Sequence, residues 1–122
     1  MLDEVVNYLE SNRELVIKID SSDLVDTAIK AWNFIKEDFR EQYNKKLVSP
    51  EIQFDTTNLE YLQANLVWDK ESYYLRIEVV ENMSYCYIYF EDNVERVTLD
   101  KWYTLNTPLP DWLINKLSLF IY

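Results

Sequence analysis

From residue 51 to residue 105 apolar and polar positions alternate with a period of two, whereas much of the chain before residue 50 repeats its apolar positions every three or four residues. That switch predicts the architecture, because side chains change face at each step along a strand and return to one face with each turn of a helix. Residues 2–11 carry Leu2, Val5, Val6 and Leu9 at helical spacing, with Asp3 and Glu4 at the end of a helix where negative charge is favourable. The stretch ELVIKID, residues 14–20, sets Leu15, Ile17 and Ile19 against Val16 and Lys18 and reads as a strand. The polar run DSSD then supplies N-cap side chains for a long helix. Its stripe of Leu24, Ala28, Trp32, Ile35, Phe39 and Tyr43 continues to about residue 46 and stops before Pro50.

Five period-two segments follow: EIQFD, YLQANLVWD, SYYLRIEVV, SYCYIYFE and VERVTLDKWYTL. Short polar breaks separate them, which predicts an antiparallel meander. The final PLPDWLINKLSLFIY has proline where a helix starts and Trp112, Leu113, Leu117 and Phe120 at helical spacing. The expected fold is α+β: a single domain, residues 1–122, with a meander of about five strands, the long helix on one face, and short N- and C-terminal helices. A chain of 122 residues buries a sizeable core without disulfide or metal staples.

Turn length fixes which strand residues face one another. A two-residue turn at Asp92-Asn93 sets Tyr89 opposite Arg96, Tyr87 opposite Thr98, Tyr85 opposite Asp100 and Ile88 opposite Val97. A turn at Asn82-Met83 sets Arg76 opposite Tyr89, Glu78 opposite Tyr87 and Ile77 opposite Ile88. A turn around Lys70-Glu71 puts Leu62, Ala64 and Leu66 beside Val79, Ile77 and Leu75. All three hairpins then agree on one apolar face, which also holds Cys86, Phe90 and Leu99 and which the long helix covers. The strand at Ile52 and Phe54 joins in phase only if the connection near Asn58 has an odd number of residues. On the other face the three tyrosines form a row, with Tyr89 between two arginines in a cation–π arrangement.

The chain has no glycine and no histidine. Without glycine there is no phosphate-cradling loop of the P-loop or dinucleotide kind, and positive-φ positions fall to asparagine or aspartate, with asparagine where turns are wanted, at Asn12, Asn58, Asn82, Asn93 and Asn106. Without histidine there is no Ser-His or Cys-His nucleophilic pair and no imidazole metal ligand. What is left is carboxylate chemistry, for which Asp55, Asp69, Glu78 and Glu81 are formal candidates that no motif singles out. No cofactor is implied. The single cysteine, Cys86, falls among core positions and suits a reducing compartment. The N-terminal segment shows no secretory pattern and no apolar run reaches membrane length, so the expected location is cytoplasmic.

Net charge of −10 argues against contact with a phosphate backbone or an anionic membrane. Residues 51–100 hold eleven of the 22 acids and only three of the 12 bases. An acidic sheet bearing tyrosine and arginine suits a basic protein partner, because those residues anchor interfaces and complementary fields speed encounter. The expected function is an intracellular inhibitor or immunity-type protein that occludes the basic surface of a toxin or nuclease. Its candidate binding residues are Tyr85, Tyr87, Tyr89, Arg76 and Arg96 as anchors, with Glu78, Glu91, Asp92, Glu95 and Asp100 as a charged rim. The order of elements also resembles the cystatin-like arrangement of a helix followed by a curved sheet. That resemblance implies a ligand-binding protein or carboxylate-dependent enzyme with a pocket between helix and sheet, lined by Trp32, Trp68 and Trp102.

Overall fold

The computed structural model describes residues 3–13, 23–55, 62–80 and 83–122. The strand expected at residues 14–20 and most of the polar run expected to cap the long helix lie outside the described residues.

Helix α1 spans Glu4–Ser11. Asp3 is its N-cap, with its carboxylate accepting from the Val5 and Val6 backbone N–H groups at 2.8 and 3.3 Å. Helix α2 spans the 21 residues Asp23–Tyr43, stopping short of residue 46. Asn44 ends it by taking φ 57°, and the Asn44 N–H bonds the Arg40 carbonyl at 2.9 Å. Glycine usually provides this αL termination, and in a chain without it the position falls to asparagine, the next most tolerant residue.

Strands β1 (Glu51–Asp55), β2 (Gln63–Lys70), β3 (Tyr73–Val80), β4 (Tyr85–Asp92) and β5 (Val97–Thr104) form one antiparallel sheet in the order β1-β2-β3-β4-β5. Helix α3 (Asp111–Leu117) follows, entered through Pro110 as expected, and leads into a 3₁₀ turn at Ser118–Phe120. The C-terminus is laced to the α2–β1 connection by a Leu47–Ile121 bridge and by a Val48 N–H bond to the Phe120 carbonyl at 2.8 Å. No described helix is long and apolar enough to cross a membrane.

Strand pairing separates two faces as alternation requires. On the inner face Ala64, Leu66, Leu75, Ile77, Val79, Cys86, Ile88 and Phe90 are buried, with Leu62 just ahead of β2. Val5, Leu9, Leu24, Ala28, Trp32, Ile35, Phe39, Leu113, Leu117 and Phe120 complete the same core from the helices. Burying each large aliphatic group in such a core stabilises by about 1.5–3 kcal/mol.

Two registers differ from expectation, each by an even step, so the faces survive. The β2–β3 turn is Glu71-Ser72, which pairs Ala64 with Val79 and Leu66 with Ile77. The β4–β5 connection is the four-residue loop Asn93–Arg96, because the Asp92 carboxylate caps it by accepting from the Val94 and Glu95 N–H groups at 3.0 and 3.1 Å. Strand β5 therefore slides by four residues. Tyr89 faces Asp100, Tyr87 faces Trp102, and Val97 sits opposite Asp92 in solvent instead of packing against Ile88. The β3–β4 register is as expected, with Arg76 opposite Tyr89 and Ile77 opposite Ile88. Strand β1 joins in phase, because Asp55 pairs with Gln63 across an odd number of intervening residues.

Positive φ falls on Asn44, Glu71, Arg96 and Asn106. Of the asparagines expected there, Asn106 agrees, whereas Asn12 has φ −97° and Asn93 keeps a negative angle. Asn58 and Asn82 lie outside the described residues.

Candidate protein-binding face

The outer face is built from alternate residues of the five strands. One row reads Gln53, Asn65, Glu78, Tyr87, Trp102, and the next reads Glu51, Val67, Arg76, Tyr89, Asp100. The buried side chains of every described helix belong to the core on the other side of the sheet. The outer face is consequently solvent-facing over β3–β5, where Tyr85 is 42% and Trp102 is 63% exposed. Its β2 end is closed: Val67 and Asn65 are buried, and among the described residues the Asn65 Oδ1 finds no hydrogen-bond partner.

Two aromatic groups occupy the open part. Tyr85 and Tyr87 both meet the Trp102 ring edge-on, at centroid distances of 5.1 and 5.2 Å. The second group centres on Arg76, whose guanidinium lies 5.0 Å from the Tyr89 ring centre and 5.8 Å from that of Tyr74. Its Nε donates to Glu78 Oε2 at 2.9 Å and its Nη1 to the Tyr74 hydroxyl at 3.3 Å. Carboxylates pin two further hydroxyls: Tyr87 donates to Asp100 Oδ2 at 2.6 Å, and Tyr89 donates to Glu91 Oε1. These bonds to Asp100 and Glu91, followed by partial desolvation, raise both phenol pKa values, so the rings stay neutral donors at physiological pH. The Tyr87 and Tyr89 rings thus stand with their polar tips already oriented.

Of the residues singled out from sequence, Tyr85, Tyr87, Tyr89, Arg76, Glu78, Glu91 and Asp100 do share this face. Arg96 does not stand opposite Tyr89. The longer loop carries it to the hairpin tip, exposed and at φ 55°, and Tyr89 is flanked by Arg76 on one side and Asp100 on the other. Asp92 and Glu95 also lie at the tip, where Asp92 organises the loop. Tyr85 begins β4 and Asp92 ends it, so the candidate surface runs the strand's full length, about 23 Å.

Two contributors, Trp102 and Tyr74, are absent from the binding residues expected from sequence. Both carry the signal used for their neighbours, since Trp102 lies two residues beyond Asp100 and Tyr74 two before Arg76 on the same strand faces. Trp102 does not face the interior, as the expected pocket between helix and sheet requires. Trp32 and Trp68 are buried and pack against each other at 6.1 Å, and Trp68 also meets Phe120 at 6.3 Å, while Trp102 is outside. The three tryptophans therefore do not line a common pocket. Nor do the formal acid candidates converge: Asp55 and Asp69 belong to rows six residues apart along β2, about 20 Å, with Glu78 between, and Glu81 lies outside the described residues. Among the described residues no group of three or more His, Cys, Asp or Glu side chains is placed to hold a metal ion.

Comparison with protein families, curated proteins and solved structures returned no match to this chain.

Proposed function

We propose that the chain is a protein-binding inhibitor or immunity-type protein, acting in the cytoplasm, whose outer sheet face occludes the basic surface of a toxin or nucleic-acid-handling partner. One observation carries this reading: a solvent-facing cluster of Tyr85, Tyr87 and Trp102 adjoins carboxylates of Glu78, Glu91 and Asp100 on a chain of net charge −10. Exposed aromatic rings accept a lysine or arginine side chain over their faces, and that contact strengthens from about 0.5–1 kcal/mol to about 2 kcal/mol once a partner excludes water. The surrounding acids steer a cationic surface into register and repel acidic ones. Function then needs no chemistry from this chain, only occupancy of a surface the partner requires.

Capture from lysate on the immobilised chain tests the reading, run beside a Tyr87→Ser/Trp102→Ser variant. Basic proteins are expected on the wild-type chain at about 50 mM salt and lost at about 0.5 M, where charges are screened beyond about 4 Å. The same proteins are expected to be missing from the variant. An identical captured set on both chains, or capture indifferent to salt, refutes the proposal.

A further inference from the structure

The helical side of the molecule carries a hollow of opposite character. A depression of about 720 Å³ is walled by Lys36, Glu37 and Arg40 of α2, by Asn44, Lys45, Lys46 and Leu47 just beyond it, and by Asp3 at the start of α1. Four of the chain's 12 bases therefore line one concavity in a protein of net charge −10. The left-handed turn at Asn44 is what brings this about, because it ends the helix at Tyr43 and redirects the following lysines along the wall that Arg40 already occupies.

These cations are not equally engaged. Lys36 is committed to Asp3, its Nζ 2.7 Å from Oδ2. Among the described residues Arg40, Lys45 and Lys46 form no ion pair, and the Lys46 ammonium instead lies 5.4 Å over the Tyr122 ring. With Asp3 neutralised, Glu37 is the one remaining acid of the wall. The partial negative charge at the end of α2 favours a nearby cation, but it neither hollows the surface nor gathers three cations around the hollow. The volume lies within the range of small-molecule sites, about 300–1,000 Å³, and the charged lining suits a charged ligand.

We infer that this groove binds a compact polyanion carrying two or more phosphate groups, with Arg40, Lys45 and Lys46 as its contacts. The guanidinium fork takes two phosphate oxygens at once and the lysines act as point charges around them. Compactness is required by the rest of the surface, since an extended polyanion such as nucleic acid would run out of the groove onto an acidic exterior. This inference stands apart from the protein-binding role of the sheet.

Inorganic tripolyphosphate is the probe, titrated by calorimetry and by amide NMR of the full chain. One saturable site is expected, with shifts concentrated at Arg40 and residues 44–47, and with inorganic phosphate binding much more weakly. Arg40→Ser/Lys45→Ser is expected to weaken binding about tenfold. Lys101→Ser/Lys116→Ser makes the same change in net charge outside the groove and is expected to leave binding within about twofold. The inference is overturned if millimolar tripolyphosphate leaves the groove amides unshifted, or if the two double variants lose affinity equally. A poly-glutamate peptide that binds the groove as tightly as tripolyphosphate overturns the phosphate assignment. Because the NMR readout uses the wild-type chain, the result does not depend on either variant folding.

Discussion

Replacing Asp3 tests how one carboxylate joins the two N-terminal helices. Its oxygens accept from two α1 N–H groups, from Trp32 Nε1 at 3.0 Å and from Lys36 Nζ at 2.7 Å. Loss of an N-cap costs about 1 kcal/mol. Stranding the indole N–H of Trp32, which is almost wholly buried, costs about 1–3 kcal/mol, and the partly exposed Lys36 pair adds up to about 1 kcal/mol. These contributions share one group and do not sum, so Asp3→Ala is expected to destabilise by about 2–3 kcal/mol, a fall in Tm of about 10 °C. Asp3→Asn keeps an acceptor oxygen and removes the charge, and is expected to cost about half as much. Burial raises the Asp3 pKa, but the bonds from Lys36, Trp32, Val6 and Val5 outweigh it and leave the folded value below the usual 3.8. A lowered folded pKa means that the stabilisation is complete above about pH 4–5 and is lost as pH falls through the folded value. The gap between wild type and Asp3→Asn, measured by urea unfolding, should therefore hold from pH 7 to about 5 and narrow progressively as the pH falls below the usual 3.8. An Asp3→Ala protein within about 0.5 kcal/mol of wild type, or a gap that persists unchanged at low pH, would refute the reasoning.

Two further predictions concern the scaffold. Glu71 and Arg96 hold left-handed backbone at φ 41° and 55° although each has a Cβ, which costs about 1–2 kcal/mol. Glycine relieves that strain but adds unfolded-state entropy, so Glu71→Gly and Arg96→Gly should each stabilise by about 0.5–1 kcal/mol in thermal melts, whereas Glu71→Ala, with the same charge change, should not. For Cys86, burial, helped by the negative charge of Glu78, pushes the thiol up to about 12. Disulfide-reagent labelling of the folded protein at pH 8 should run about a thousandfold slower than in urea, and rapid labelling would show that the inner face opens.

Alternation made the two sheet faces legible, and both register slips were even steps that left Ile77, Ile88 and Phe90 inside and Tyr87 and Tyr89 outside. Turn length was not legible. A glycine-free chain lacks the residue that most sharply marks a tight turn, and here the left-handed positions of the β2–β3 and β4–β5 connections went to Glu71 and Arg96, while the Asp92 side chain closed a longer loop than a two-residue reading allows. The candidate face inherits both outcomes. Its tyrosine row could be read from parity, and Trp102 obeys the same parity. The departure of Arg96 depends on loop length, which no periodicity encodes, and parity alone does not mark Val67 and Asn65 as buried.

The unbroken order of the sheet also dictates how the chain assembles. Each strand pairs with its immediate sequence neighbour, so every ladder closes a short stretch of chain and little entropy is lost before contacts reward it. Such a sheet zips hairpin by hairpin, and its central strands give helix α2 a surface on which to condense. The distant clasp between residues 46–48 and 120–122 has to form across most of the molecule. It is expected to be the seam that fastens last and, under stress, the one that parts first.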